Sequence, residues 1–251
     1  MEYNLVVRDA PKSTAAEAIR AIRTNLQFAA MDRRLRTIMV TSAVPGEGKT
    51  SLSTNLAASF AMSGVDTIIA GADLRKPRTH TVFGVPSEPG ITNVLLGGAT
   101  LDEALRESGI PRLKVLPSGP VPPNPAEVLG SQAMANLIDE LVRRVDVVIF
   151  DATPVLAVTD AVLLSRKMDG VLMVVAMKST PREVVRQACE ALRQAKANLL
   201  GVIANRADVK GRSAQYYEYY GEKNPSPARS SWHVKYSPIG ALLRIFNRAS
   251  N

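Results

Sequence analysis

Short, continuously apolar runs recur along the chain: Ile38-Met39-Val40 within RTIMVTS, Thr67 to Ala70, Leu113 to Leu116, Val147-Val148-Ile149-Phe150, and the stretches 171 to 177 and 199 to 204. Segments with helical character alternate with them, from Thr14 to about Ala30 and over 50 to 63, 91 to 96, 100 to 107, 126 to 143, 159 to 167 and 181 to 196. Strands that are apolar on both faces and separated by helices predict an α/β, doubly wound, mainly parallel sheet with helices on both sides. Local punctuation supports the division. Thr14-x-x-Glu17 and Thr100-x-x-Glu103 read as capping boxes, Gly64 as a helix stop, and Thr180 as a cap with Pro181 in the first turn. An extended lead precedes the first helix, and VPPNP at 121 to 125 is too rich in proline for either regular state.

Ligands of such sheets sit at the carboxyl ends of the strands, which places the loops after Ser42 and Ala70, together with Asp151 and Asn205, on one rim. The loop after the first run is AVPGEGKTS, Ala43 to Ser51, of the form A-x-x-x-x-G-K-T. This is a phosphate-binding loop of the Walker A kind: glycines let backbone N–H groups and a helix N-terminus converge on phosphate oxygens. Pro45, Gly46, Glu47, Gly48, Lys49, Thr50 and Ser51 form the expected cradle for ATP, and Asn205 on the same rim is a further nucleotide contact. Lys49 reaches the terminal phosphates and the Thr50 hydroxyl serves Mg2+. Asp151 closes an apolar strand where a Walker B acid belongs, and Asp73 is a second acid for the metal. A plain glycine turn and solvated strand-end aspartates are the competing readings; the order of strand, loop and helix argues against them.

Length and composition add bounds. With 251 residues and 46% hydrophobic content the chain buries one substantial core, expected over residues 1–208. The single cysteine, Cys189, excludes an internal disulfide, and His80 and His233 suggest no local metal motif. The richest apolar stretch, Val145 to Leu164, is broken by polar residues, and MEYNLVVRD is no signal peptide. A cytoplasmic protein with at most peripheral membrane contact is expected. The formal charge is +8, of which the eight Lys or Arg and three Asp or Glu from Arg206 onward supply +5. That asymmetry points to a basic tail, not to a basic folded surface for nucleic acid.

The expected tail, 209–251, holds Tyr216, Tyr217, Tyr219 and Tyr220, four of the chain's six tyrosines, and then Asn224, Pro225, Ser226 and Pro227. Such a mixture builds no core element, so disorder is expected, with a short amphipathic helix from about Ile239. Near the other end, Glu17, Arg20 and Arg23 recur every three residues beside Ile19, Ile22 and Leu26. The spacing supports a solvated face and a subunit interface equally.

These residues resemble the bacterial tyrosine kinases of capsule and exopolysaccharide systems, in the form without a fused membrane domain. The resemblance spans about 13 to 220 and rests on E-x-x-R-x-x-R-x-N-L from Glu17, V-P-G-E-G-K-T, A-D-L-R-K-P at 72 to 77, P-P-N-P-A-E-V-L at 122 to 129, the Asp151 strand with T-D-A at 159 to 161, and the tyrosine cluster. It implies ATP-dependent autophosphorylation of Tyr216, Tyr217, Tyr219 and Tyr220, with Lys49, Asp73, Asp151 and Arg75 as the catalytic set. It also implies a ring of subunits joined through Glu17, Arg20 and Arg23, a transmembrane polysaccharide co-polymerase as activator, and attachment to the inner membrane face through that partner. Two departures stand out. The family has D-x-D-x-R where this chain has Gly71-Ala72-Asp73-Leu74-Arg75, and D-T-P-P where it has Asp151-Ala152-Thr153-Pro154. The first removes the implied base for the tyrosine hydroxyl. Two further readings stay open: a partition or septum-type ATPase, which has a second lysine where this loop has Val44 and Pro45, and an ATP-binding scaffold without kinase activity.

Overall fold

The computed structural model describes residues 4–29, 35–177 and 179–206. Helix α1 (Val6–Asp9) and helix α2 (Thr14–Ala29) lead to strand β1 (Thr37–Ser42), helix α3 (Lys49–Met62) and strand β2 (Thr67–Gly71). Helices α4 (Thr79–Phe83), α5 (Ile91–Leu95) and α6 (Leu101–Ala104) precede strands β3 (Arg106–Glu107) and β4 (Leu113–Leu116). The rest is α7 (Pro125–Gly130), α8 (Gln132–Arg144), β5 (Val147–Asp151), α9 (Asp160–Ser165), β6 (Gly170–Ala176), α10 (Arg182–Gln194) and β7 (Leu199–Asn205).

The strands form one sheet in the order β3-β4-β2-β5-β1-β6-β7. All neighbours are parallel except the antiparallel edge pair β3–β4. The expected doubly wound parallel sheet is therefore present. Period-two alternation divides each central strand between two cores. Met39, Ile68, Ala70, Val148, Phe150, Val171 and Met173 face the layer of α8, α9 and α10. Ile38, Val40, Ile69, Ile149, Leu172 and Val174 face the layer of α1, α2 and α3.

Helix α3 is buried almost all round, because the sheet covers one side and α1 and α2 the other. That arrangement corrects one expectation about α2. Ile19, Ile22 and Leu26 are 0%, 3% and 5% exposed and belong to the chain's own core, so they offer nothing to a neighbouring subunit. Arg23 is likewise committed: its Nη1 donates to the Ser59 carbonyl of α3 at 2.8 Å, and burial lowers its pKa below the usual arginine value. Glu17 and Arg20 remain on the outer side, paired with each other at 2.7 Å.

Several local signals resolve differently from the sequence pattern. Ser13, not Thr14, caps α2, its Oγ accepting from the Ala16 amide at 3.2 Å. The lead before it contains a turn of helix, α1. The capping box at Thr100 and Glu103 is present, but its helix stops at Ala104 and gives way to β3. The helix expected over 126 to 143 is broken at Ser131, whose Oγ caps α8 by accepting from the Met134 amide. Residues 207–251, with Tyr216, Tyr217, Tyr219, Tyr220 and the stretch from Ile239, lie outside the described residues, as does the expected boundary at 208.

Candidate active site

The carboxyl ends of β1, β2, β5 and β7 supply the rim. Gly46 and Gly48 have φ of +83° and +100°, the left-handed region in which an L side chain is strained, and Gly48 is the N-cap of α3. The turn they make starts the 14-residue helix α3 at Lys49 and Thr50, so that helix N-terminus and loop amides open on the same side. Parallel pairing sets Asp151 of β5 beside Val40 of β1 and beside Gly71 of β2. Three chemical groups thus arrive at one place from segments far apart in sequence.

Lys49 Nζ lies 2.7 Å from Asp73 Oδ2 and 3.8 Å from Asp151 Oδ1. The Thr50 hydroxyl donates to Asp151 Oδ2 at 2.7 Å, and the Thr79 hydroxyl approaches the same oxygen at 3.4 Å. Asp73 is 5% exposed and Asp151 1% exposed. Burial pushes the Asp151 carboxyl above the usual carboxylate range, against the opposing pull of the Lys49 charge and the Thr50 hydroxyl. Its Oδ1 is buried without a hydrogen-bond partner.

A buried, partly unsatisfied carboxylate beside a threonine hydroxyl offers the oxygen donors that a divalent cation accepts, and the adjacent ammonium suits the polyphosphate that carries such a cation. The residues therefore fit a magnesium nucleotide. Thr50, Asp151 and Asp73 would hold the metal and Lys49 the terminal phosphates. Gly46 leaves open space where a Cβ would stand, which keeps the loop's backbone accessible to a ligand.

Other candidate residues take different places. Arg75 grips the fully buried Asp160 through two bonds, Nε to Oδ2 at 2.8 Å and Nη2 to Oδ1 at 3.0 Å. It pins the loop after β2 to the start of α9 and lies two residues beyond Asp73. Pro45 and Ser51 border the loop, Pro45 exposed and Ser51 half-buried in the first turn of α3. Glu47 departs from the expected cradle: it is 2% exposed, and its carboxylate turns inward onto protein donors. Asn205 is engaged in the same way, its Nδ2 donating to the Glu47 carbonyl at 2.7 Å. Thr180, expected to cap α10, gives its hydroxyl to Glu47 Oε1, and Pro181 holds the N-cap position.

Gly71 stands where the family pattern has a carboxylate. A Cβ there would lie 2.7 Å from Ser118 Oγ and 3.2 Å from Thr79 Oγ1. Ser118 Oγ donates to the Gly71 carbonyl at 2.6 Å. Neither Ser118 nor Thr79 carries a motif signal; the β2–β4 pairing brings Ser118 to Gly71, and the start of α4 brings Thr79.

Comparison with known proteins agrees with the fold. Residues 35–202 match the family model described as AAA domain. Tyrosine-protein kinase YwqD of Bacillus subtilis (strain 168) is 43% identical over 224 residues, which are 89% of this chain and 94% of that protein. The crystal structure of the chimerical protein CapA2B2 superposes with a TM-score of 0.78 at 39% identity, covering 81% of this chain and 89% of the other. The cell division ATPase MinD of Pyrococcus furiosus, at 22% identity, a TM-score of 0.58 and coverage of 73% and 79%, shares the fold alone.

Proposed function

The chain belongs to the family of bacterial tyrosine-protein kinases built on an AAA domain, and from that premise we propose that it is an ATP-dependent protein-tyrosine autokinase governing capsule or exopolysaccharide synthesis and export. The observation that carries this reading is the convergence of Lys49, Thr50, Asp73 and Asp151 on one rim, with Lys49 within 2.7 Å of Asp73 and 3.8 Å of Asp151. When bound, magnesium ATP supplies the phosphoryl group and part of its charge neutralisation. Lys49 then compensates charge on the terminal phosphate oxygens, and the loop amides orient them. Thr50, Asp151 and Asp73 would hold the cation. With glycine at 71 the carboxylate that would take the phenolic proton is missing and transfer is slow, while Asp73 stays paired with Lys49 and Arg75 keeps its loop against α9. The acceptors are Tyr216, Tyr217, Tyr219 and Tyr220, and tyrosines of other proteins follow the same chemistry.

The scaffold reading has one observation in its favour, the hydroxyl-lined glycine at 71. Mass spectrometry of the purified full chain, with and without magnesium ATP, separates the readings. Phosphotyrosine within 216–220 is expected. ATP hydrolysis without it would mark a partition-type ATPase, and neither would mark a scaffold.

The proposal extends to assembly. Subunits form a ring through the outer side of α2, and a transmembrane co-polymerase holds them at the inner membrane face. No helix among the described residues is long and apolar enough to cross a membrane. Since Arg23 is bound within its own chain, the informative change is charge reversal at Glu17→Arg with Arg20→Glu kept out, so that only the outer side is altered. Light scattering with nucleotide present should show a lower mass than wild type. A monomeric wild type at every concentration would return α2 to a solvated surface.

A further inference from the structure

A carboxylate at the tip of a phosphate-binding loop is electrostatically misplaced if it faces the phosphates, and Glu47 does not. Its Oε2 accepts from the Val44 amide at 2.9 Å, closing the loop on itself. Its Oε1 accepts from the Ala176 amide at 3.0 Å, at the end of β6, and from the Thr180 hydroxyl in the turn before α10. The main chain of the same tip is tied to the end of β7: Asn205 Nδ2 donates to the Glu47 carbonyl at 2.7 Å and Arg206 Nη2 to the Gly46 carbonyl at 2.7 Å. Arg206 has φ of +56°, a left-handed backbone that few non-glycine residues adopt, and its amide donates to Asn205 Oδ1. Such a conformation persists where surrounding contacts over-determine it.

We propose that Glu47 is a positioning residue of the nucleotide loop, fixing the direction of the loop amides by buckling its tip to the carboxyl ends of β6 and β7 without touching phosphate. This rests on the nucleotide-binding reading of the loop but makes a claim about the loop itself. The buckle's far side is the turn around Thr180 and the point where the chain leaves β7 towards the segment bearing Tyr216. Displacement of either end therefore reaches the amides that face the nucleotide.

The test uses the full chain with Glu47→Gln, Thr180→Val and the two combined. Glutamine keeps the volume and one acceptor but, in either orientation, sets an NH2 group against the Val44 or the Ala176 N–H, and valine removes the hydroxyl that meets Oε1. Amide hydrogen exchange without nucleotide is expected to quicken across residues 43–51 in each variant, with β1 and β5 unchanged. Affinity for a fluorescent ADP analogue with magnesium, measured well below the melting temperature, should fall by about tenfold or more in Glu47→Gln, the scale of one unsatisfied buried donor. The combined variant should bind no worse than Glu47→Gln alone, because both changes open one buckle. Unchanged loop exchange, exchange that quickens over the whole domain, equal or tighter binding in Glu47→Gln, or full additivity would each overturn the proposal. If the wild type binds no nucleotide, the exchange data still decide the buckle, and only the nucleotide reading fails.

Discussion

Replacing Lys49 with Met removes most nucleotide affinity and all tail phosphorylation. Methionine keeps an unbranched side chain of similar length, so the loop loses its charge with little loss of volume. The Lys49 side chain is only 13% exposed, and its ammonium stands between two buried carboxylates, 2.7 Å from Asp73 and 3.8 Å from Asp151. Without it, those carboxylates face an incoming polyphosphate uncompensated, and the terminal phosphate loses its cation. Truncating one partner of a buried hydrogen-bonded charge pair costs about 2–5 kcal/mol, roughly 30- to 5,000-fold in affinity. The Asp151 carboxyl, already above its usual range through burial, moves further up when its opposing charge is gone. Titration calorimetry with magnesium ATP reads the effect. Equal affinity in wild type and variant would remove the basis for placing phosphate at this loop.

The residues of that rim were legible in the sequence because each announces itself locally. Continuous apolar runs fix β1, β2, β5 and β6, the glycines before Lys49 fix the loop, and an aspartate closing an apolar strand marks Asp151. Several residues that the pattern misassigned have partners far along the chain. Thr180 looks like a helix cap from its neighbours, yet its hydroxyl meets Glu47, 133 residues away. Arg23 looks like part of an exposed charged stripe until α3 is packed beneath α2 and Ser59 receives it. Asp160 sat inside a recognised motif without a role until its pairing with Arg75, 85 residues away, gave it one. Side-chain periodicity reports which face is buried; it carries no information about which distant polar atom shares that burial.

Gly71→Asp is expected to raise labelling of Tyr216, Tyr217, Tyr219 and Tyr220 while lowering stability. Residue 71 pairs in register with Asp151 and lies two positions before Asp73, so a third carboxylate joins a crowded acidic rim. Like charges opposite one another on neighbouring strands destabilise. The same crowding raises the new group's pKa towards neutrality, which suits a base acting on a phenol of pKa about 10. Sterically, the Cβ would stand 2.7 Å from Ser118 Oγ, so that hydroxyl must turn away from its 2.6 Å bond to the Gly71 carbonyl. That bond contributes about 0.5–1.5 kcal/mol. A positioned base contributes about 10²- to 10⁴-fold, far more than the lost hydrogen bond can cancel, so the net gain should exceed about tenfold. Combining Gly71→Asp with Ser118→Ala separates the two effects: the pair should label at least as fast as Gly71→Asp alone, because the closest contact is gone, leaving those with Thr79 Oγ1 at 3.2 Å and the Ser118 amide at 3.3 Å, and the carboxylate remains. Timed assays with ATP and phosphotyrosine detection measure both variants against wild type. If neither labels faster, the missing carboxylate is not what limits this chain: either Asp73 or Asp151 already takes the phenolic proton, or the domain binds ATP without transferring its phosphate.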